Sequence, residues 1–250
     1  MSMRIINEKA WYAIGARNIS LAEQIGLDML VMCNGCVATL FKINEDLKSD
    51  AKLKGNINEI LKKIGKNFEG QIQVKSLLRV LYEDIGPFRI RKKIKAPLQG
   101  LKIAVHYGCH IFEELREYDD PKKPETLQEL SSSLGAEVLT YPSENMCCFA
   151  FANSIDKDFI FRALNRKLYD ISQTGADCLV VICPYCFSQF ELNQLFLSRR
   201  LGKEMELPVF FYLELLGLAM GLNAYEIGLQ HHKINAIKML NRLEIARTTT

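Results

Sequence analysis

Apolar positions along the chain recur with two periods, and the switches between them outline a fold. From Glu8 to Gly26, Ala10, Ile14, Ile19, Ala22 and Ile25 return at helical intervals, so this segment reads as a helix. DMLVM (Asp28–Met32) is a short apolar run of the kind a buried strand shows, and it leads into CNGC at Cys33–Cys36. VATLFKINEDLK then resumes a helical pattern. Residues 50–94 read as a charged, helical connector whose most amphipathic part is KSLLRVLYEDI (Lys75–Ile85). Gly86-Pro87 and the basic stretch RIRKKIK (Arg89–Lys95) close it, the basic stretch as a solvated face.

Beyond Pro97, LKIAVHYGCH (Leu101–His110) reads as a strand ending at a glycine and a cysteine. TLQELSSSLGAEVLTYPSENMCCF predicts a helix, a stop at Gly135, a strand and then Cys147-Cys148. DFIFRALNRKLYDISQTG predicts another helix ending at Gly175, and DCLVVICPYC returns to a strand before the next helix. Strands alternating with helices across short joints predict an α/β fold around a mainly parallel sheet. The expected division is 1–49 as a first unit carrying CNGC, 50–97 as the connector, 98–224 as a complete second unit and 225–250 as a helical tail.

An internal echo sharpens this. GLDMLVMCNGCVATLF (Gly26–Phe41) and GADCLVVICPYCFSQF (Gly175–Phe190) share a Gly-x-Asp opening, an apolar strand, C-x-x-C and a helix, the two C-x-x-C pairs standing 150 residues apart. Duplication of an α/β unit is the economical explanation. Cys109, Cys147 and Cys148 precede the second C-x-x-C pair, whereas no cysteine precedes Cys33, so the first unit reads as incomplete.

Composition narrows the chemistry. A net charge of +3 gives no reason to expect nucleic-acid binding. No apolar run approaches the ~20 residues of a membrane helix. The longest candidate, VFFYLELLGLAMGL (Val209–Leu222), is broken by Glu214 and two glycines, and Met1–Trp11 is no signal segment. A soluble, cytoplasmic protein is expected, and there eight cysteines point to metal or redox chemistry rather than structural disulfides.

Four uses of those cysteines compete. Strand–CPYC–helix matches a glutaredoxin-like dithiol, where the helix N-terminus lowers a thiol pKa, but leaves Cys109, Cys147 and Cys148 without a role. A disulfide between Cys147 and Cys148 is strained, since adjacent Cα atoms stand ~3.8 Å apart against ~4.4 Å at the short end of ordinary disulfides. A structural zinc closed by four thiolates leaves at least three cysteines over. An iron–sulfur cluster fits better, because Cys109, Cys147, Cys148, Cys183 and Cys186 each follow a predicted strand and would meet at one edge of a parallel sheet. Cys178, inside a strand, reads as an ordinary buried residue.

The pattern Cys109–x37–Cys147-Cys148–x34–Cys183–x2–Cys186, with HYGCH, GAEVLTYPSENMCC and GADCLVVICPYCFSQFE, resembles the duplicated cysteine-rich CCG domain of the heterodisulfide reductase B subunit, HdrB. ARNISLAEQIGLDMLVMCNGCVATLF and FYLELLGLAMGL carry the resemblance over nearly the whole chain. It implies duplicated α/β units, each complete one holding a non-cubane [4Fe–4S] cluster through five cysteines. It also implies electrons from an iron–sulfur partner subunit fed by a flavin-containing one, and cleavage of the coenzyme M–coenzyme B disulfide of methanogenesis. Carried over, Cys109, Cys147, Cys148, Cys183 and Cys186 would be the ligands. His110 would donate a proton to a leaving thiolate or, alternatively, orient a ligand.

This sequence also departs from the pattern. Cys33 and Cys36 alone do not make a five-thiolate site: they bind nothing, form a reversible disulfide or share a metal with another chain. Phe149-Ala150-Phe151-Ala152 replaces a glycine-rich run, where glycine would allow close approach or positive φ. These departures support an alternative, a non-catalytic paralogue in which a cluster or zinc stiffens an interaction surface. Outside the cysteines, His106 reads as structural and His231 and His232 as exposed. Lys157, Arg162, Arg166 and Lys167 read as a solvated helix face rather than a steering patch for an anionic substrate.

Overall fold

The computed structural model describes residues 2–152, 155–202 and 205–243. They form two compact units: Met1–Val80 with His110–Tyr118, and Leu81–Cys109 with Asp119–Thr250.

The first unit packs helices α1 (Ser2–Ile6), α2 (Glu8–Gln24), α3 (Asn34–Ser49), α4 (Ala51–Leu61) and α5 (Leu77–Arg79) around strands β1 (Met29–Val31) and β2 (Val74–Ser76). The Asn7 side chain caps α2 by accepting the Ala10 N–H at 2.9 Å, and Asp50 caps α4 through Leu53 in the same way. Helices α2 and α3 approach closely at Gly15, where a Cβ would collide with Ile43 Cδ1. Strands β1 and β2 are parallel, with Met29 opposite Val74 and Val31 opposite Ser76. The stretch expected as a wholly helical connector therefore contains a strand. Its signal is the period of two, since Ile72, Val74 and Ser76 are buried between more exposed neighbours. The basic stretch is solvated as expected: Arg89, Arg91, Lys92 and Lys93 are exposed around a buried Ile90.

The second unit contains α6 (Pro87–Arg91), β3 (Lys102–His106), α8 (Thr126–Ser133), β4 (Glu137–Leu139), α9 (Lys157–Ser172), β5 (Cys178–Val181), α10 (Pro184–Leu201), β6 (Val209–Phe211), α11 (Tyr212–Ala219) and α12 (Ala236–Arg242). The intervening α7 (Phe112–Leu115) belongs to the first unit. The four strands are all parallel in the order β4-β3-β5-β6, so their C-terminal ends share one edge. Central β5 is fully buried along its length, which explains its unbroken apolar run. Asp177 pins the register of β5 against β3: its carboxylate accepts the Lys102 N–H and its own N–H donates to the Lys102 carbonyl. Successive strands lie on opposite sides of β3, which makes the β3/β5 junction a topological switch point. In open parallel sheets ligands bind there, outside the strands' carboxyl ends. The α/β, mainly parallel reading thus holds for both units. The tail forms a short 3-10 turn at Leu229–His231 and then α12, and residues 244–250 lie outside the described ones.

Candidate metal centre

Three loops deliver sulfur to the switch point. Gly108, with φ 79°, turns the chain off β3 in a backbone conformation costly for other residues, and Cys109 opens the 3-10 turn Cys109–Ile111. Cys147 and Cys148 follow β4 after the turns at 142–146. Cys183 is the N-cap of α10, Pro184 supplies the preset φ favoured at a first helical position, and Cys186 sits in the first turn.

The five sulfurs form one continuous chain. Cys109 and Cys147 Sγ are 3.2 Å apart, and Cys186 Sγ donates to Cys148 Sγ at 3.4 Å. Cys147 also accepts from the Cys148 thiol, and Cys186 hydrogen-bonds to Cys183. Cys148, Cys183 and Cys186 are buried, Cys109 and Cys147 half-buried, and none of the eight cysteines is in a disulfide. Hydrogen bonds from the Cys109 and Cys148 thiols, with the Phe149 N–H at 3.2 Å, hold Cys147 as a thiolate, well below the usual thiol range. The others move the opposite way: donation to Cys147 raises Cys109, and donation to Cys148 raises Cys186. Sulfurs this crowded in a low dielectric ionise together only with a cation among them.

Two further residues complete the surroundings, and sequence reasoning missed both. His106, at the end of β3, is buried, and one of its ring nitrogens lies within 4.8 Å of the Cys148 and Cys186 sulfurs. Neither ring nitrogen has a hydrogen-bond partner, and burial holds the imidazole neutral, well below its ordinary pKa. The ring rests edge-on against Phe190, 4.9 Å between centroids. An orphaned buried imidazole beside soft sulfur donors is what a site meant to hold a metal or iron–sulfur group presents. Lys167, expected on a solvated face, is fully buried, and its ammonium donates to the carbonyls of Ser143 (2.6 Å), Glu144 (2.9 Å) and Met146 (2.8 Å). Burial pushes its pKa down to about 7. Lys157, Arg162 and Arg166 are exposed as expected, Arg166 pairing with the buried Asp170 at 3.0 Å.

The remaining candidates fall as follows. His110 is half-buried in the turn that begins at Cys109. Cys178 is fully buried in β5, as expected. Cys33 and Cys36 lie in the first unit, where Cys33 N-caps α3 and Cys36 is exposed. His231 is exposed, but His232 is not: its side chain is 5% exposed and donates or accepts at 2.9 Å with Glu214. Phe149 carries φ 55°, the one non-glycine residue with positive φ among those described, so the backbone keeps the left-handed form that a glycine would adopt freely. Its ring packs on Phe159 at 5.0 Å, while Phe151 is 62% exposed.

No helix among the described residues is long and apolar enough to cross a membrane. The family model of the CCG cysteine-rich domain matches residues 103–191. A Methanosarcina acetivorans protein, the B subunit of a ferredoxin/F(420)H(2)-dependent CoB-CoM heterodisulfide reductase, is 35% identical over 241 residues, covering 95% of this chain and 80% of that one. A Wolinella succinogenes protein, "8-methylmenaquinol:fumarate reductase membrane anchor subunit", is 30% identical, covering 94% and 82%. The solved structure of a hypothetical protein from Helicobacter pylori shares the fold, with a TM-score of 0.72 at 18% identity over 92% of this chain and 43% of that one. Sulfur donors, sheet edge and relatives agree: the chain belongs to the family of HdrB-like proteins built on the cysteine-rich domain.

Proposed function

We propose that this chain is the HdrB-like component of a heterodisulfide reductase complex. Its second unit holds one non-cubane [4Fe–4S] cluster through Cys109, Cys147, Cys148, Cys183 and Cys186 and passes electrons to the disulfide of coenzyme M and coenzyme B. The observation that carries this reading is the unbroken chain of five sulfurs at the switch point. A tetrahedral zinc is closed by four thiolates, so the fifth sulfur favours a polynuclear centre. The first unit repeats the strand, C-x-x-C and helix arrangement of the second at β1 and α3.

Cleaving the disulfide consumes two electrons and two protons and yields two thiols. When bound, the cluster supplies the electrons, which reach it from an iron–sulfur partner subunit fed by a flavin-containing one. The chain's own residues do the rest. The α10 N-terminus aims two sulfurs, the Phe149 N–H supports the Cys147 thiolate, and half-buried His110 hands a proton to the leaving sulfur.

Anaerobic purification followed by assay of iron, zinc and acid-labile sulfide tests the reading. About four irons and four sulfides per chain are expected, with disulfide reduction once the partner subunits are supplied; zinc without sulfide overturns it. One observation favours a second reading, in which the centre only stiffens a docking surface: the Phe149 ring, packed on Phe159, stands where the backbone has a glycine's conformation. That reading requires a full metal complement and no turnover with partners present.

A further inference from the structure

Lys167 is, among the described residues, the one charged side chain fully buried in the second unit that no catalytic role has absorbed, and its surroundings are specific. A lysine ammonium has three N–H donors. All three here go to carbonyls of a single four-residue stretch, Ser143–Met146, which ends at Cys147. The ammonium also lies over the Tyr141 ring, 5.2 Å from its centroid. It makes no salt bridge among the described residues, the neighbouring Glu144 carboxylate being engaged instead by Gln128 Nε2 at 2.6 Å. Burying an ammonium without a carboxylate is costly. The negative ends that meet it are the three carbonyl dipoles of Ser143, Glu144 and Met146, on the loop that runs into Cys147 and Cys148. Burial alone weakens its hold on the proton, but three carbonyl acceptors on one nitrogen call for the ammonium form, so α9 places an ammonium behind the cysteine pair, tied to the loop that presents it.

Resting on the cluster reading above, we infer that Lys167 is the positioning residue of the five-cysteine centre. Its clamp on Ser143, Glu144 and Met146 sets the register of Cys147 and Cys148, and its positive charge favours the reduced, more negative form of the bound cluster. The second half follows from sign alone, since adding an electron beside a cation in a low dielectric is easier than adding it without one.

The test compares the parent with Lys167→Met, which keeps the length and removes the charge, and Lys167→Arg, which keeps the charge. Each is purified anaerobically and assayed for iron and sulfide, for midpoint potential by electron paramagnetic resonance titration, and for apo-protein melting. Lys167→Met is expected to shift the reduction equilibrium at least tenfold toward the oxidised form, a fall of about 59 mV for one electron. Lys167→Arg is expected to stay within threefold of the parent. A loaded Lys167→Met with the parent's potential overturns the inference, and so does equal loss of the cluster in both variants. If Lys167→Met does not fold, Lys167→Arg decides: parent-like iron and potential support the inference, and their loss overturns it. A parent protein without iron and sulfide instead sinks the cluster reading itself, so the two failures are told apart.

Discussion

The two C-x-x-C corners of this chain are built alike and surrounded differently. In each, a short parallel strand runs into a cysteine that N-caps a long helix, Cys33 with ψ 121° and Cys183 with ψ 121° as well. Yet Cys36 is exposed, whereas Cys183 and Cys186 are buried and joined to three more sulfurs. Local sequence sets the strand, the turn and the helix start. What makes one corner a candidate metal centre is the company brought by other strands of a four-stranded sheet, which the two-stranded sheet of the first unit does not assemble among the described residues.

The comparison is broken most directly by removing sulfur. Cys147→Ser or Cys148→Ser is expected to lower iron from about four to below about one per chain, while a Cys33→Ser/Cys36→Ser double variant keeps it; full iron in the Cys147 or Cys148 variant would defeat the ligand assignment. Thiol accessibility sharpens it next. In metal-free native protein, maleimide should label Cys36 faster than Cys183 or Cys186 by on the order of tenfold or more, because buried thiols react only on opening. Equal rates read by peptide mass mapping would mean that the second corner opens as freely as the first.

A smaller effect is expected at Phe149. A β-branched residue in left-handed backbone is poorly accommodated, so Phe149→Val should cost about 1–3 kcal/mol in denaturant unfolding. Phe149→Gly should lie within about 1 kcal/mol of the parent, as relieved strain offsets the lost ring contact. The smallest concerns His232. Burial lowers its pKa, but the hydrogen bond and charge of Glu214 and the charge of Glu191 outweigh that, leaving it raised above 6.5. A raised folded-state pKa contributes stability that is complete below the unfolded value and lost as pH rises through the folded one. Tm should therefore fall on going from mildly acid to mildly alkaline pH, by no more than the roughly 2–4 °C that about 1 kcal/mol produces in a chain of this size. His232→Gln should flatten that slope; an unchanged slope would assign it to other groups.

Much of this was legible in the sequence, and the misses have physical causes. Apolar runs marked β3 and β5 because central parallel strands are buried on both faces, and cysteines placed after strands converged because the strands are parallel. β2 was hidden in a charged stretch, although Ile72, Val74 and Ser76 alternate correctly. Lys167 was hidden by its chemistry, not its position. Ile160, Leu164, Lys167, Leu168 and Ile171 form the buried stripe of α9, so its spacing placed it inward while its charge suggested water. His232 depended on partners 18 and 41 residues away in sequence, Glu214 and Glu191, which no local pattern reveals. His106 continued an apolar strand and gave no sign that its ring would be left unpaired beside sulfur.

The two closest sulfur contacts each join cysteines 38 residues apart in sequence, Cys109 with Cys147 and Cys148 with Cys186. Such a donor set does not exist in a nascent or half-folded chain. It appears only when β3, β4 and β5 have zipped together and α10 has docked. If the centre holds the cluster proposed above, the sheet has to form first and the inorganic cargo enters a finished cradle, so that the metal-free protein stands on its own apolar core until it is met by whatever delivers that cargo.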